Sequence, residues 1–129
     1  MNDKVKYWIS IAEYDFETAE AMLKTERLLY VGFMCHQTIE KMLKAVIEKQ
    51  QLSDVPPKIH NLLRLANIAN IALPDKYVKL ISYLNPLNIE ARYPSYKNNL
   101  TKILTKDKCQ ELLIQTREMK LWIEKELLA

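Results

Sequence analysis

Apolar residues recur along this chain at the three- and four-residue spacing of amphipathic helices, and one segment carries a broader apolar face than the rest. On a helical wheel of Leu28–Gln50, the residues Leu28, Leu29, Val31, Gly32, Phe33, Cys35, Ile39, Met42, Leu43, Val46 and Ile47 make one wide arc. Tyr30, Gln37, Thr38, Lys41, Lys44 and Glu48 fill the opposite side. So wide an arc predicts a central helix touched by several neighbours, with Phe33, Ile39, Leu43 and Ile47 nearly inaccessible. His36 and Glu40 fall inside the arc, one turn apart. A carboxylate aimed into a core is costly unless a cation meets it, so the partner of Glu40 becomes the main question.

The flanking segments follow the same logic. Residues 2–24 predict a first helix capped by Asn2 or Asp3, with Trp8, Ile11, Ala12, Ala19, Met22 and Leu23 on one face. Asp15 lies along the middle of that face, either bonded to a nearby tyrosine or sharing a buried polar cluster with Glu40. The short connection at 25–27 makes the first two helices antiparallel neighbours. Gly32, within the arc, implies the close approach of another backbone. The second helix ends before SDVPPK, where Asp54, Pro56 and Pro57 break the pattern.

A short third helix is predicted from His60 to Asn70, with His60 at its start satisfying a free helix end or facing solvent, a structural role in preference to a catalytic one. Pro74 opens a fourth helix that reaches Leu84, where Asn85-Pro86 disturbs it. Thr105 caps a last helix running to Leu127, with Cys109, Leu112, Leu113, Thr116, Met119, Ile123 and Leu127 in register. The predicted fold is all-α: a single domain over 1–129, an antiparallel up-and-down bundle of four main helices plus a shorter one.

Between the fourth and last helices, residues 88–102 read NIEARYPSYKNNLTK. Pro94 keeps Tyr93 from helical angles. Arg92, Tyr93, Tyr96, Lys97 and Asn98 form a donor-rich, aromatic stretch of the type that holds a phosphate and stacks a base, or else an ordinary polar loop anchored by its tyrosines. One arrangement joins the two odd features: Arg92 folds back to pair with Glu40, or with Asp15, leaving guanidinium donors for a phosphate or simply closing the bundle.

Composition narrows the remaining chemistry. With 129 residues, one glycine and a net charge of +3, the chain is a helix-rich, mildly basic protein for which nucleic-acid contact is permitted but not required. Cys35 and Cys109 have neither zinc-site nor CxxC spacing and read as buried reduced thiols of a cytoplasmic protein. There is no apolar signal core and no membrane-spanning run. Two histidines do not supply a dimetal carboxylate bundle; His36, Glu40 and Asp15 are better explained as a satisfied polar core than as metal ligands. Phosphate-binding glycine loops, nucleophile elbows and zinc fingers are missing, and DKYVKLISYLN is a poor recognition helix. No cofactor and no metal are expected.

The order EYDFETAEAML, CHQTIEKMLKAVI, KIHNLLRLA and ARYPSY resembles the HEPN domain over nearly the whole chain. The resemblance implies a helical bundle that forms a homodimer and is commonly encoded beside a minimal nucleotidyltransferase. Many members of the family are metal-independent ribonucleases, several of them toxins that the nucleotidyltransferase neutralises. Their active pair is an arginine and a histidine separated by four to six residues at a dimer cleft. Arg92 matches the arginine, but Lys97, Asn98 and Asn99 stand where the histidine is expected. Loss of such acid–base help typically costs about 10²–10⁴ in rate. The resemblance therefore implies a nucleotide- or RNA-binding component with weak or absent ribonuclease action. The alternatives are a ribonuclease toxin with an atypical site, in which His36 stands in as a catalytic residue beside Arg92, and a helical interaction module without ligand. In some relatives a tyrosine near the motif is modified with AMP by the partner; Tyr96 is close to that position but out of register.

Overall fold

The computed structural model describes residues 2–50, 57–90 and 102–129. Its helices are α1 (Asp3–Lys24), α2 (Leu28–Gln50), the short α3 (Leu62–Ile68), α4 (Asp75–Glu90) and α5 (Lys106–Leu127). The all-α bundle of four main helices and one short helix is as the sequence predicts. The Asp54 and Pro56 breaker and the segment 91–101 lie outside the described residues.

Local chemistry sets the helix ends. Asn2 caps α1, its Oδ1 accepting from the Val5 N–H at 2.8 Å, and Thr105 caps α5 by accepting from the Lys108 N–H at 3.2 Å. At the far end of α1, Glu26 adopts φ 60°, and the Arg27 N–H reaches the Met22 carbonyl at 2.7 Å. This is the left-handed closure that satisfies the last carbonyls and turns the chain back as α2. Asn70, at φ 54°, closes α3 in the same way, with the Ile71 N–H on the Ala66 carbonyl at 3.0 Å.

α2 packs against all four other helices. Its first turn meets the first turn of α5 through the Cys109 thiol and the Leu28 carbonyl, 3.6 Å apart. Its last turn meets the end of α5, where Lys49 Nζ donates to the Leu127 carbonyl at 3.2 Å. These two helices therefore run parallel through the middle, and α1 and α4 run against them. Ile39, Leu43 and Ile47 are buried as expected, with Cys35, Met42, Leu84, Leu112 and Met119 around them.

Four expectations need correction. Phe33 is only partly buried, because it lies toward the edge of the arc. Gly32 is approached by a side chain and not by a backbone: a Cβ there would stand 2.6 Å from Leu87 Cδ1. α4 continues through Pro86 to Glu90, since burial of Leu84, Leu87 and Asn88 on either side of the proline holds the helix together. α3 starts two residues later than predicted, at Leu62, because Asn61 takes the capping position and accepts from the Arg64 N–H at 3.1 Å.

Candidate functional site

Capping by Asn61 leaves His60 outside α3, and this determines what meets Glu40. The Glu40 carboxylate is 1% exposed. The His60 Nδ1–H donates to its Oε1 at 2.8 Å, while Lys41 Nζ and Lys44 Nζ each donate to Oε2 at 3.2 Å. Burial raises the carboxyl pKa, but Lys41, the His60 bond and Lys44 outweigh it and hold Glu40 below the ordinary carboxylate range. Glu40 is thus an ionised, fully buried acceptor.

His36 lies beneath this pair. Its Nε2–H donates to the His60 backbone carbonyl at 2.9 Å, and its Nδ1 stands 3.4 Å from Gln37 Oε1 and 3.9 Å from Glu40 Oε1. Burial pushes the His36 pKa down to about 4 against the pull of the Glu40 carboxylate, so the ring is neutral near pH 7. His36 has no exposed surface. It fixes the backbone at His60, and its ring does not line an open cleft.

Asp15 joins the same electrostatic neighbourhood from α1. Burial raises its carboxyl pKa, Lys41 opposes the rise and Glu40 adds to it. Lys44 Nζ also stands 5.8 Å from the centre of the Trp8 ring on α1, within cation–π range. The cluster therefore binds α1, α2 and the residues before α3 to one another.

His60 carries the cluster outward. Its side chain is 52% exposed, and it lines a cleft of about 280 Å³ together with Asn61, Asn85, Pro86 and Asn88. The asparagines are ordered by the fold: Asn85 Oδ1 accepts from the Leu62 N–H at 2.8 Å, and Asn85 Nδ2 donates to Asn61 Oδ1 at 3.2 Å. The half-exposed imidazole beside this amide pair offers a hydrogen-bonding group suited to base edges, hydroxyls and phosphate oxygens.

Sequence reasoning singled out Glu40, His36 and Asp15, and the structure brings these three into one neighbourhood. It missed His60 as the direct partner, and it placed Lys44 on the polar side although Lys44 is buried. The readable signal was Asn61, whose N-cap spacing to Arg64 puts His60 before the helix and frees its ring. Arg92, Tyr93, Tyr96, Lys97 and Asn98 lie outside the described residues, as does the proposed Arg92–Glu40 pair. Among the described residues no group of three or more His, Cys, Asp or Glu is arranged to hold a metal ion.

A family model for the HEPN domain matches residues 5–127. The crystal structure of TT1696 from Thermus thermophilus is similar, with a TM-score of 0.80 at 18% identity over 98% of this chain and 100% of that one. At that identity the likeness shows the fold. No curated protein matches the chain.

Proposed function

This chain belongs to the HEPN domain family, and from that premise we propose that it is the nucleotide- or RNA-binding component of a two-protein module with a minimal nucleotidyltransferase, in the manner of a toxin–antitoxin pair. The observation that carries the reading is the cleft at His60, where a half-exposed imidazole held by a buried carboxylate stands beside Asn61 and Asn85. The net charge of +3 is compatible with a polyanionic ligand. A homodimer, with two such surfaces related by a two-fold axis, is part of the same proposal. Arg92, Tyr93, Tyr96, Lys97 and Asn98 are proposed ligand residues on their chemistry alone, with Arg92 as the phosphate fork.

Fluorescence anisotropy with a labelled oligoribonucleotide, competed by free nucleotides, tests the binding. Saturable binding that weakens with added salt supports it. Arg92→Lys keeps the charge and loses the planar fork, so affinity falls while Tm holds. Absence of binding to RNA and to nucleotides alike overturns the ligand assignment. Failure to co-purify with a co-expressed nucleotidyltransferase from the same operon overturns the module.

A further inference from the structure

We propose that the face formed by α1 and α5 is where a second copy of this chain docks, the acidic edge of α1 in one copy lying over the apolar and basic face of α5 in the other. This rests on the homodimer reading above and deepens it by naming the surface that closes the pair.

α1 and α5 run antiparallel, and Lys120 ties them together, its Nζ 2.6 Å from Glu124 Oε1 and 3.7 Å from Glu13 Oε1. Beside that link the two helices leave a groove of about 240 Å³, with Phe16 and Leu121 in its wall. Ile114 and Leu121, two turns apart on α5, are 63% and 50% exposed. Gln110, Arg117 and Lys125 are also exposed and continue the same stripe at helical spacing. The facing edge of α1 carries Glu13, Glu17 and Glu20. Arg117, Glu17 and Glu20 line one groove, yet none of them has an ion pair among the described residues.

The two charge sets complement each other, and this decides the occupant. Glu13 stands level with Lys120, so in an antiparallel pair Glu17, one turn on, stands level with Arg117. A two-fold axis parallel to the helices keeps every residue at its own level. It lays α1 of the second copy along the open side of α5, where Arg117 of each copy meets Glu17 and Glu20 of the other. Ile114 and Leu121 of both copies then close against one another in the middle of a four-helix interface whose neighbouring helices are antiparallel. A surface of one sign would repel its own copy, whereas this one attracts it. α1 and α5 have 22 residues each, and so are about 33 Å long. A face of that length and two helices wide is comparable to the ~800 Å² per partner that a stable interface buries. It shares no residue with the cleft at His60.

Sedimentation velocity on the full chain at micromolar concentration tests the assignment, with wild type expected to be a dimer. Arg117→Glu, and separately Glu17→Arg combined with Glu20→Arg, set like charges across the axis, and each protein alone should be monomeric. An equimolar mixture of the two should regain the dimer, because each copy then offers the charge that the other lacks. Leu121→Asp should raise the dimer Kd about tenfold or more. All four positions are exposed, so the circular dichroism spectrum and Tm of each variant should match those of wild type. A dimer unchanged by Arg117→Glu and by Leu121→Asp overturns this face and leaves the homodimer reading standing. Charge-swapped variants that stay monomeric when mixed overturn the pairing. A monomeric wild type sinks both readings. If that monomer binds a co-expressed nucleotidyltransferase and Arg117→Glu does not, the face belongs to that protein and not to a second copy.

Discussion

Replacing Glu40 by glutamine keeps the shape of the side chain and removes its charge, and the structure sets the size of the effect. The carboxylate is 1% exposed and bonded to three donors, and Lys44 is itself only 6% exposed. The substitution leaves Lys44 buried without its counter-charge and gives the His60 Nδ1–H a weaker acceptor. Breaking a buried pair from one side costs about 3–5 kcal/mol, which for a chain of this size lowers Tm on the order of 10–20 °C. Urea or thermal unfolding at pH 7 measures this directly. The loss should also depend on pH. The folded pKa of Glu40 lies below its unfolded value near 4.5. Its stabilisation is therefore present above that unfolded value and disappears as pH falls through the folded one. The gap between wild type and Glu40→Gln should accordingly narrow on acidification. Asp15 has the opposite sign: its raised pKa makes the ionised form a cost that acid relieves, and both proteins keep that contribution. A second variant isolates the charge pair. Glu40→Leu with Lys44→Met removes both charges together and should recover much of the loss. A loss for Glu40→Gln below about 1 kcal/mol, the range of exposed pairs, would refute the buried-pair reasoning.

The hydrophobic centre gives a second expectation: Leu43→Ala, at a fully buried position, should cost about 2–5 kcal/mol in urea unfolding, and a value under about 1 kcal/mol would place Leu43 at an edge. Gly32→Ala gains helix propensity but drives a methyl to 2.6 Å from Leu87 Cδ1. It should destabilise on its own by about 1 kcal/mol as the overpacking term wins, and much less when combined with Leu87→Ala. Burial pushes the Cys35 thiol up to about 12 and the Cys109 thiol up to about 11. Neither should react with a thiol reagent near pH 8 until the protein unfolds, and fast labelling of the native state would contradict their burial.

The helices were legible because their signals are local. Caps at Asn2 and Thr105, the arc of α2 and the spacing of α5 all act within a few residues, and the structure reproduces them. Where a local signal met long-range packing, packing prevailed: Pro86 reads as a breaker, yet α4 runs through it between the buried Leu84 and Leu87. The site divides along the same line. A carboxylate out of place on an apolar arc is visible from periodicity, and so Glu40 could be named. Its partner is twenty positions away, past a proline-rich break, and no period connects the two. Only the capping chemistry of Asn61 marks His60 as free of the helix.

The residues at 36, 40, 44 and 48 on α2 are all buried, at 0%, 1%, 6% and 7% exposure. Four residues along a helix advance the direction by about 40° beyond a full turn, so this polar stripe winds across the face instead of lying straight along it. His36 and Glu40 consequently meet the residues before α3, while Lys44, one turn on, reaches back over Trp8 of α1. A wheel drawn with one apolar and one polar side splits the stripe, assigning its first half to the core and its second half to solvent. In the fold both halves are covered, because α2 is surrounded by all four other helices. Lys44 is thereby part of the reason Glu40 stays ionised, and Glu40 is part of the reason the His60 ring keeps one orientation. The position of the imidazole at an open cleft is set by α2, through Glu40 on its ring and His36 on its backbone carbonyl.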